Sequence, residues 1–345
     1  MLHFGIIGAG NIAHKFIEAV RMTSEADVTA VASKSMERAK AWAKKESLSS
    51  YYDSYEKLLS DPDIDVVYIA TLSNAHYDNI KACLLAGKHV ICEKPMTQTG
   101  AQAREVIDLA REKHLFLMEG MWSRFLPKST HVRQWIRDGR IGELHLMQAN
   151  IGWKADKEYS RRLFYPELGG GSLYDIGIYP LELLPYYADQ KILSMQFLKK
   201  DYPTGVDDMV SLNLQLEHCI ANIQCSFTTK MPEDAYLYGS DGYIHIPKIH
   251  FGNRARLYDL NDRLVEDFHY GATAPTLQRA RDITVDAIDD FKSGKLDEIY
   301  IVYTKIQNAL TSEPVMERLL PLDREHLKPT PKGLGDPRGE VEMFP

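Results

Sequence analysis

Leu2-His3-Phe4-Gly5-Ile6-Ile7-Gly8-Ala9-Gly10-Asn11-Ile12-Ala13 is the stretch that decides the fold. The apolar run Leu2–Ile7 reads as a strand, and Ile12, Phe16, Ile17 and Val20 then recur at helical spacing. Between them lies a GxGxxA turn. Gly8 permits the tight reversal, Gly10 lets a ligand approach the backbone, and Ala13 lets helix pack closely on strand. A helix starting there aims unpaired N–H groups and the positive end of its dipole at the turn, which favours a diphosphate. Glycine patterns alone are weak, but strand, turn and helix in this order are the context a dinucleotide turn needs. Gly8, Gly10, Asn11 and Ile12 are therefore candidate cofactor-binding residues.

Outward from this turn, strands are expected at 28–32, 65–70, 89–92 and 115–118. Helices are expected at 35–45, opened by a serine cap, at 76–86, stopped by Gly87, and at 102–113. Strands alternating with helices predict an α/β domain over residues 1–122, a Rossmann-type doubly wound parallel sheet covered on both faces. Beyond Met121 the pattern changes. Helices are expected at 128–138 and 174–187, and strands at 143–152, 209–216, 220–227, 235–238 and 243–246. Strands in succession, alternating polar with apolar, predict an α+β domain with a largely antiparallel, open-faced sheet over 123–325. An open face needs cover, so a homodimer is expected. Residues 326–345, rich in proline and glycine, read as a loose tail.

The end of the second strand bears on which dinucleotide is held. NAD sites usually place Asp or Glu there for the ribose 2′-hydroxyl. This chain has Ala32-Ser33-Lys34-Ser35, with Arg38 one turn on. A serine hydroxyl and two cations suit a 2′-phosphate, so NADP is expected ahead of NAD. The alternative is that Lys34 and Arg38 are a solvated helix face.

Composition excludes other classes. A net charge of −7 argues against a general nucleic-acid partner, since phosphate contacts need clustered Lys and Arg. No signal-peptide pattern opens the chain and no apolar run is long enough to span a bilayer, so a cytoplasmic protein without membrane partners is expected. Cys83, Cys92, Cys219 and Cys225 form no CxxC pair and sit in apolar stretches. They read as buried thiols, and no metal site is expected.

Several further stretches recur in order. Glu93-Lys94-Pro95 follows the fourth strand, Thr71-Leu72-Ser73-Asn74-Ala75-His76 the third, and Glu119-Gly120-Met121-Trp122-Ser123-Arg124-Phe125 leads into the second domain. Gly169-Gly170-Gly171-Ser172-Leu173-Tyr174-Asp175-Ile176-Gly177-Ile178-Tyr179-Pro180 and Gly205-Val206-Asp207-Asp208 come later. With the glycine turn, these resemble the Gfo/Idh/MocA oxidoreductases over roughly residues 1–275, in the branch acting on dihydrodiols and D-xylose. The resemblance implies that Lys94 and Tyr179 do proton chemistry and that Asp175 helps hold a sugar or diol hydroxyl. It also puts Thr71, Asn74, His76, Glu93, Lys94 and Arg124 beside the cofactor. The chemistry is coherent. Hydride transfer from a carbinol needs a base for the hydroxyl proton. A free phenol is a poor base at neutral pH, and a nearby ammonium favours the phenolate. Bland alternatives remain: Lys94 as a surface strand end, Tyr179 as a packed aromatic, Asp175 as a helix-start charge, His76 and Arg124 without ligand contact. Trp122, Trp153 and Phe164 either line the cleft or fill core, and the three glycines suggest close backbone approach to something, such as substrate. A non-catalytic dinucleotide sensor is the competing function.

From about Val285 the family pattern fades. The stretches 295–305, 308–315 and 319–322 resemble part of the ATP synthase gamma subunit, which implies a strand of a peripheral α/β domain and its following turn. The long coiled-coil helices of that subunit are absent, which argues against a rotor role. Chance similarity and a spliced or artificial tail are both open readings, and a chimera whose C-terminal tail binds a partner is an alternative function.

Overall fold

The computed structural model describes residues 1–269, 288, 290–308 and 311–321. The chain divides into two units, Met1–Tyr270 and Gly271–Pro345.

The first unit begins with β1 (Leu2–Ile7), α1 (Asn11–Val20), β2 (Ala26–Ala32), α2 (Met36–Glu46), β3 (Ser50–Tyr52) and α3 (Tyr55–Leu59). It continues with β4 (Val66–Ile69), α4 (His76–Leu85), β5 (His89–Cys92), α5 (Gly100–Glu112) and β6 (Leu117–Glu119). The strands lie in the order β3-β2-β1-β4-β5-β6 and every neighbouring pair is parallel. Helices cover both faces, so β4 is buried at every position. On one face Ile6 and Val31 meet Ala13 and Ile17 of α1; on the other Ile7 and Val67 meet Ile80, Leu84 and Val106. α1 buries Ala13, Ile17 and Val20, a single stripe at helical spacing. Ser35, Ser54 and Thr99 cap α2, α3 and α5 by accepting from the N–H groups of Arg38, Lys57 and Gln102. α1 starts at Gly10 with no side-chain cap, so its first N–H groups remain for a ligand. Strand order turns back between β1 and β4, and ligands of such sheets bind outside the strand ends at that point.

The chain then forms α6 (Pro127–Arg137), β7 (Leu144–Gly152), a π turn at Leu173–Gly177 and α7 (Ile178–Ala188). Seven strands follow: β8 (Ile192–Asp201), β9 (Asp207–Leu216), β10 (Ile220–Ser226), β11 (Ala235–Gly239), β12 (Gly242–Ile246), β13 (Arg254–Asp259) and β14 (Leu264–His269). Their sheet runs β14-β13-β12-β11-β7-β10-β9-β8. It is largely antiparallel, with β7 and β10 the parallel pair. Val210, Leu212, Leu214 and Leu216 of β9 share a core with Leu183, Leu184 and Tyr187 of α7. The opposite face carries half-buried rings: Tyr236 stacks on His245 at 4.3 Å and Tyr243 on Tyr258 at 4.8 Å. One continuous helix was expected over 174–187. Instead the chain enters through the π turn, where a side chain on Gly177 would lie 2.7 Å from Cys225 Sγ.

In the second unit β15 (Ile299–Asn308) and β16 (Thr311–Leu320) form an antiparallel hairpin, pairing Thr304 with Pro314. A strand and turn were expected there, and the chain returns as a second strand. The expected loose tail, 326–345, lies outside the described residues.

Candidate active site

A cavity of about 780 Å³ opens at the C-terminal ends of β1 and β4. At its dinucleotide end Gly8 has φ +101°, and a Cβ there would lie 2.7 Å from the Ala70 carbonyl. Only glycine fits. For a Cβ on Gly10 the nearest atom is Ala70 O, 3.8 Å away, so the space before it belongs to the cavity. Asn11 and Ile12 continue the lining. Ser33, Lys34 and Arg38 line the same cavity from the end of β2 and the start of α2, and Arg38 donates to Ala9 O at 2.9 Å. The open helix start, the glycine turn and the cationic strand end fit a dinucleotide. Tyr55 also lines this end, and burial raises its phenol pKa. No sequence pattern marked it, because α3 brings it in from a separate element.

Further along, Thr71, His76 and Glu93 line the cavity. His76 is buried, with Nδ1 2.8 Å from Pro95 O and Nε2 3.1 Å from Thr71 O. A neutral imidazole donates to one of these. Glu93 accepts from the Tyr68 hydroxyl at 2.5 Å and from the Lys94 N–H at 3.3 Å. Asn74 and Arg124 are not among the lining residues. Asn74 donates to Glu167 O at 2.6 Å, fastening the loop after β4 to the second sheet's domain. Arg124 pairs with Glu182 at 2.7 Å and lies 4.5 Å over the Tyr186 ring.

At the other end Lys94, Asp175 and Tyr179 converge with Trp122 and Arg162. Lys94 Nζ donates to the Asp175 carbonyl at 2.5 Å, stands 3.6 Å from Asp175 Oδ1, and lies 4.7 Å from the Tyr179 ring centre. The Trp122 indole N–H donates to Tyr179 Oη at 3.3 Å. Arg162 donates to Asp175 Oδ1 at 2.8 Å. Tyr179 and Asp175 are both buried. One ammonium thus touches a carboxylate residue and a phenol ring at the wall of the cavity.

Of the aromatics left open by the sequence, Trp122 lines the cavity, Trp153 packs against the second sheet's core, and Phe164 is buried with Phe227. The three glycines do approach something closely, but it is protein. Side chains on Gly169, Gly170 and Gly171 would run into Ser73 Oγ, the Leu163 carbonyl and Asp207. Gly169 alone of the three also lines the cavity. The four cysteines are buried and free, and no cluster of metal-ligating side chains occurs among the described residues. No described helix is long and apolar enough to cross a membrane.

A dinucleotide cradle at one end and an ammonium–phenol–carboxylate group at the other define a nicotinamide-dependent oxidoreductase. Residues 2–121 match the family described as Oxidoreductase family, NAD-binding Rossmann fold, and residues 129–245 match the GFO/IDH/MocA C-terminal domain. Trans-1,2-dihydrobenzene-1,2-diol dehydrogenase of Mus musculus is 37% identical over 252 residues, covering 72% of this chain and 75% of the relative. The Homo sapiens enzyme of that name is 34% identical over 249 residues, covering 71% and 74%. The chain belongs to the Gfo/Idh/MocA family, and is an NAD(P)-dependent dehydrogenase of the class acting on CH–OH groups.

Among solved structures, a 3-ketoreductase from Actinomadura kijaniata in complex with NADP and TDP-benzene superposes with a TM-score of 0.71 at 25% identity, over 85% of this chain and 90% of that one. Aldose-aldose oxidoreductase from Caulobacter crescentus shares the fold, with a TM-score of 0.71 at 24% identity over 85% and 90%. Residues 233–343 are also similar to the ATP synthase family, in a match that overlaps the second Gfo/Idh/MocA match at 233–245.

Proposed function

We propose that the protein uses NADP in preference to NAD and acts on a sugar, a polyol or a dihydrodiol. The observation that carries this is Lys94, which touches both Asp175 and Tyr179 in the cavity that the Gly8–Gly10 turn opens into. When bound, the nicotinamide accepts or supplies the hydride. Tyr179 takes or returns the hydroxyl proton, Lys94 stands beside it as the neighbouring cation, and Asp175 orients the hydroxyl. The dihydrodiol dehydrogenase names of the relatives and the NADP held by the ketoreductase support the substrate class and the cofactor. Ser33, Lys34 and Arg38 supply a hydroxyl and two cations for a 2′-phosphate, with no carboxylate among the three to repel it. A homodimer through the aromatic face of the second sheet completes the reading, with a cytoplasmic setting.

Fluorescence titration with NADPH and NADH tests the cofactor, and tighter NADH binding reverses that choice. Absorbance of the reduced nicotinamide, followed with trans-1,2-dihydrobenzene-1,2-diol and a panel of aldoses and polyols, tests the substrate class. Light scattering that returned a monomer would remove the dimer.

A further inference from the structure

The first turn of α6 reaches Tyr179 by two routes. Lys128 is completely buried, and its ammonium donates to the main-chain carbonyls of Lys248 and Phe251. No carboxylate pairs with it among the described residues. Burial alone pushes its pKa down to about 7. Burying an ammonium without a counter-ion is costly, and an apolar side chain would fill the space without that cost. The two carbonyls bracket His250, whose ring lies 5.0 Å from the Tyr179 ring at a 37° tilt. His250 Nδ1 is buried with no hydrogen-bond partner among the described residues. The hold on its flanking carbonyls is one restraint on that ring, beside the Phe251 ring 4.5 Å away. The second route starts at the next residue. Ser129 Oγ donates to Ser123 O at 2.8 Å, and Ser123 adjoins Trp122, the donor to Tyr179 Oη.

We propose that Lys128 and Ser129 form a positioning platform for Tyr179. Lys128 sets the segment that rests His250 against the phenol ring, and Ser129 sets the segment that carries Trp122 to the phenol oxygen. The inference rests on Tyr179 being the proton-handling group. Neither residue touches the reacting atoms, so both act through others. Proton transfer depends steeply on where the phenol oxygen lies, and a displacement of about 1 Å can cost on the order of 10²-fold.

The test compares Lys128→Met, which keeps length and removes the charge, with His250→Ala and Tyr179→Phe. Each is assayed with NADP and the diol and aldose panel, and each is titrated with NADPH. The expected result for Lys128→Met and His250→Ala is a fall in kcat of about tenfold or more, unchanged NADPH affinity, and a displaced pH profile of kcat. A merely structural defect would lower the melting temperature without moving that profile. The charged groups facing His250, namely Glu233, Lys128, Lys94 and Lys248, are otherwise unaltered in the His250 variant. Wild-type kcat and pH profile in folded Lys128→Met would overturn the proposal. Near-normal turnover in Tyr179→Phe would instead break the assignment beneath it. If Lys128→Met does not fold, His250→Ala decides by the same two readouts. If no panel member is turned over, a crystal structure of His250→Ala with NADPH decides: Tyr179 Oη moved off Trp122 supports the platform, and an unmoved oxygen overturns it.

Discussion

The ammonium of Lys94 donates to the main-chain carbonyl of Asp175 at 2.5 Å. That carbonyl sits in the π turn Leu173–Gly177. Lys94 reaches it from the loop after β5, and this bond holds its charge against the Tyr179 ring. Lys94→Ala and Tyr179→Phe are each expected to lower kcat by roughly 10²-fold or more, the scale of general acid–base loss. NADPH affinity of Tyr179→Phe should stay near wild type. Steady-state kinetics with fluorescence titration measures both, and near-normal turnover in either variant would end the proton-transfer assignment.

The two turn glycines are expected to fail differently when changed to alanine. At Gly8 the new Cβ meets the Ala70 carbonyl at 2.7 Å on a backbone with φ +101°. Gly8→Ala should therefore lose stability, by about 1–3 kcal/mol, the scale of such backbone strain. At Gly10 the protein has room, with the nearest atom 3.8 Å away. Gly10→Ala should keep its melting temperature and weaken NADPH by roughly tenfold, about 1.4 kcal/mol. Equal NADPH affinity in Gly10→Ala and wild type would mean that the cofactor does not press on that backbone.

Those glycines were legible because their chemistry is local: a strand, a reversal and a helix within a dozen residues. Lys94, Asp175 and Tyr179 entered through a resemblance, and spacing alone would not have joined positions 94 and 175. Arg162 and Tyr55 escaped notice because tertiary contacts alone bring them to the cavity. β8 escaped for another reason. It is an edge strand exposed along its whole length, so burial imposes no alternation on Met195-Gln196-Phe197-Leu198-Lys199. The run Gly169 to Gly171 signals close approach, but sequence does not say what approaches, and the partners are Ser73, Leu163 and Asp207.

Arg162 is expected to govern substrate affinity more than cofactor affinity. Its guanidinium is half exposed, donates to Asp175 Oδ1 at 2.8 Å, and stands at the end of the cavity away from the glycine turn. Arg162→Met leaves Asp175 facing Lys94 alone. A charge-assisted bond discounted for exposure is worth about 1 kcal/mol, so KM for the diol or sugar should rise roughly fivefold. NADPH affinity should not change. A larger effect on NADPH than on substrate KM would place Arg162 with the cofactor.

His250 gives the fold a pH dependence whose sign follows from its surroundings. Burial, with Lys128, Lys94 and Lys248 nearby, lowers its pKa from 6.5 to about 4 against an opposing pull from Glu233. As pH falls from 6.5 towards 4, the unfolded chain takes up this proton and the folded chain resists it. Stability from this group is therefore complete above 6.5 and is lost as pH falls through 4. His250→Asn removes the titration and keeps a polar side chain. Its melting temperature should fall less than that of wild type between pH 7 and about 4, the window these two values bound. Differential scanning fluorimetry at half-unit steps measures the two curves. Parallel curves would show that the imidazole takes up its proton alike in the folded and unfolded chains, and that its ring is not held in the buried place against Tyr179.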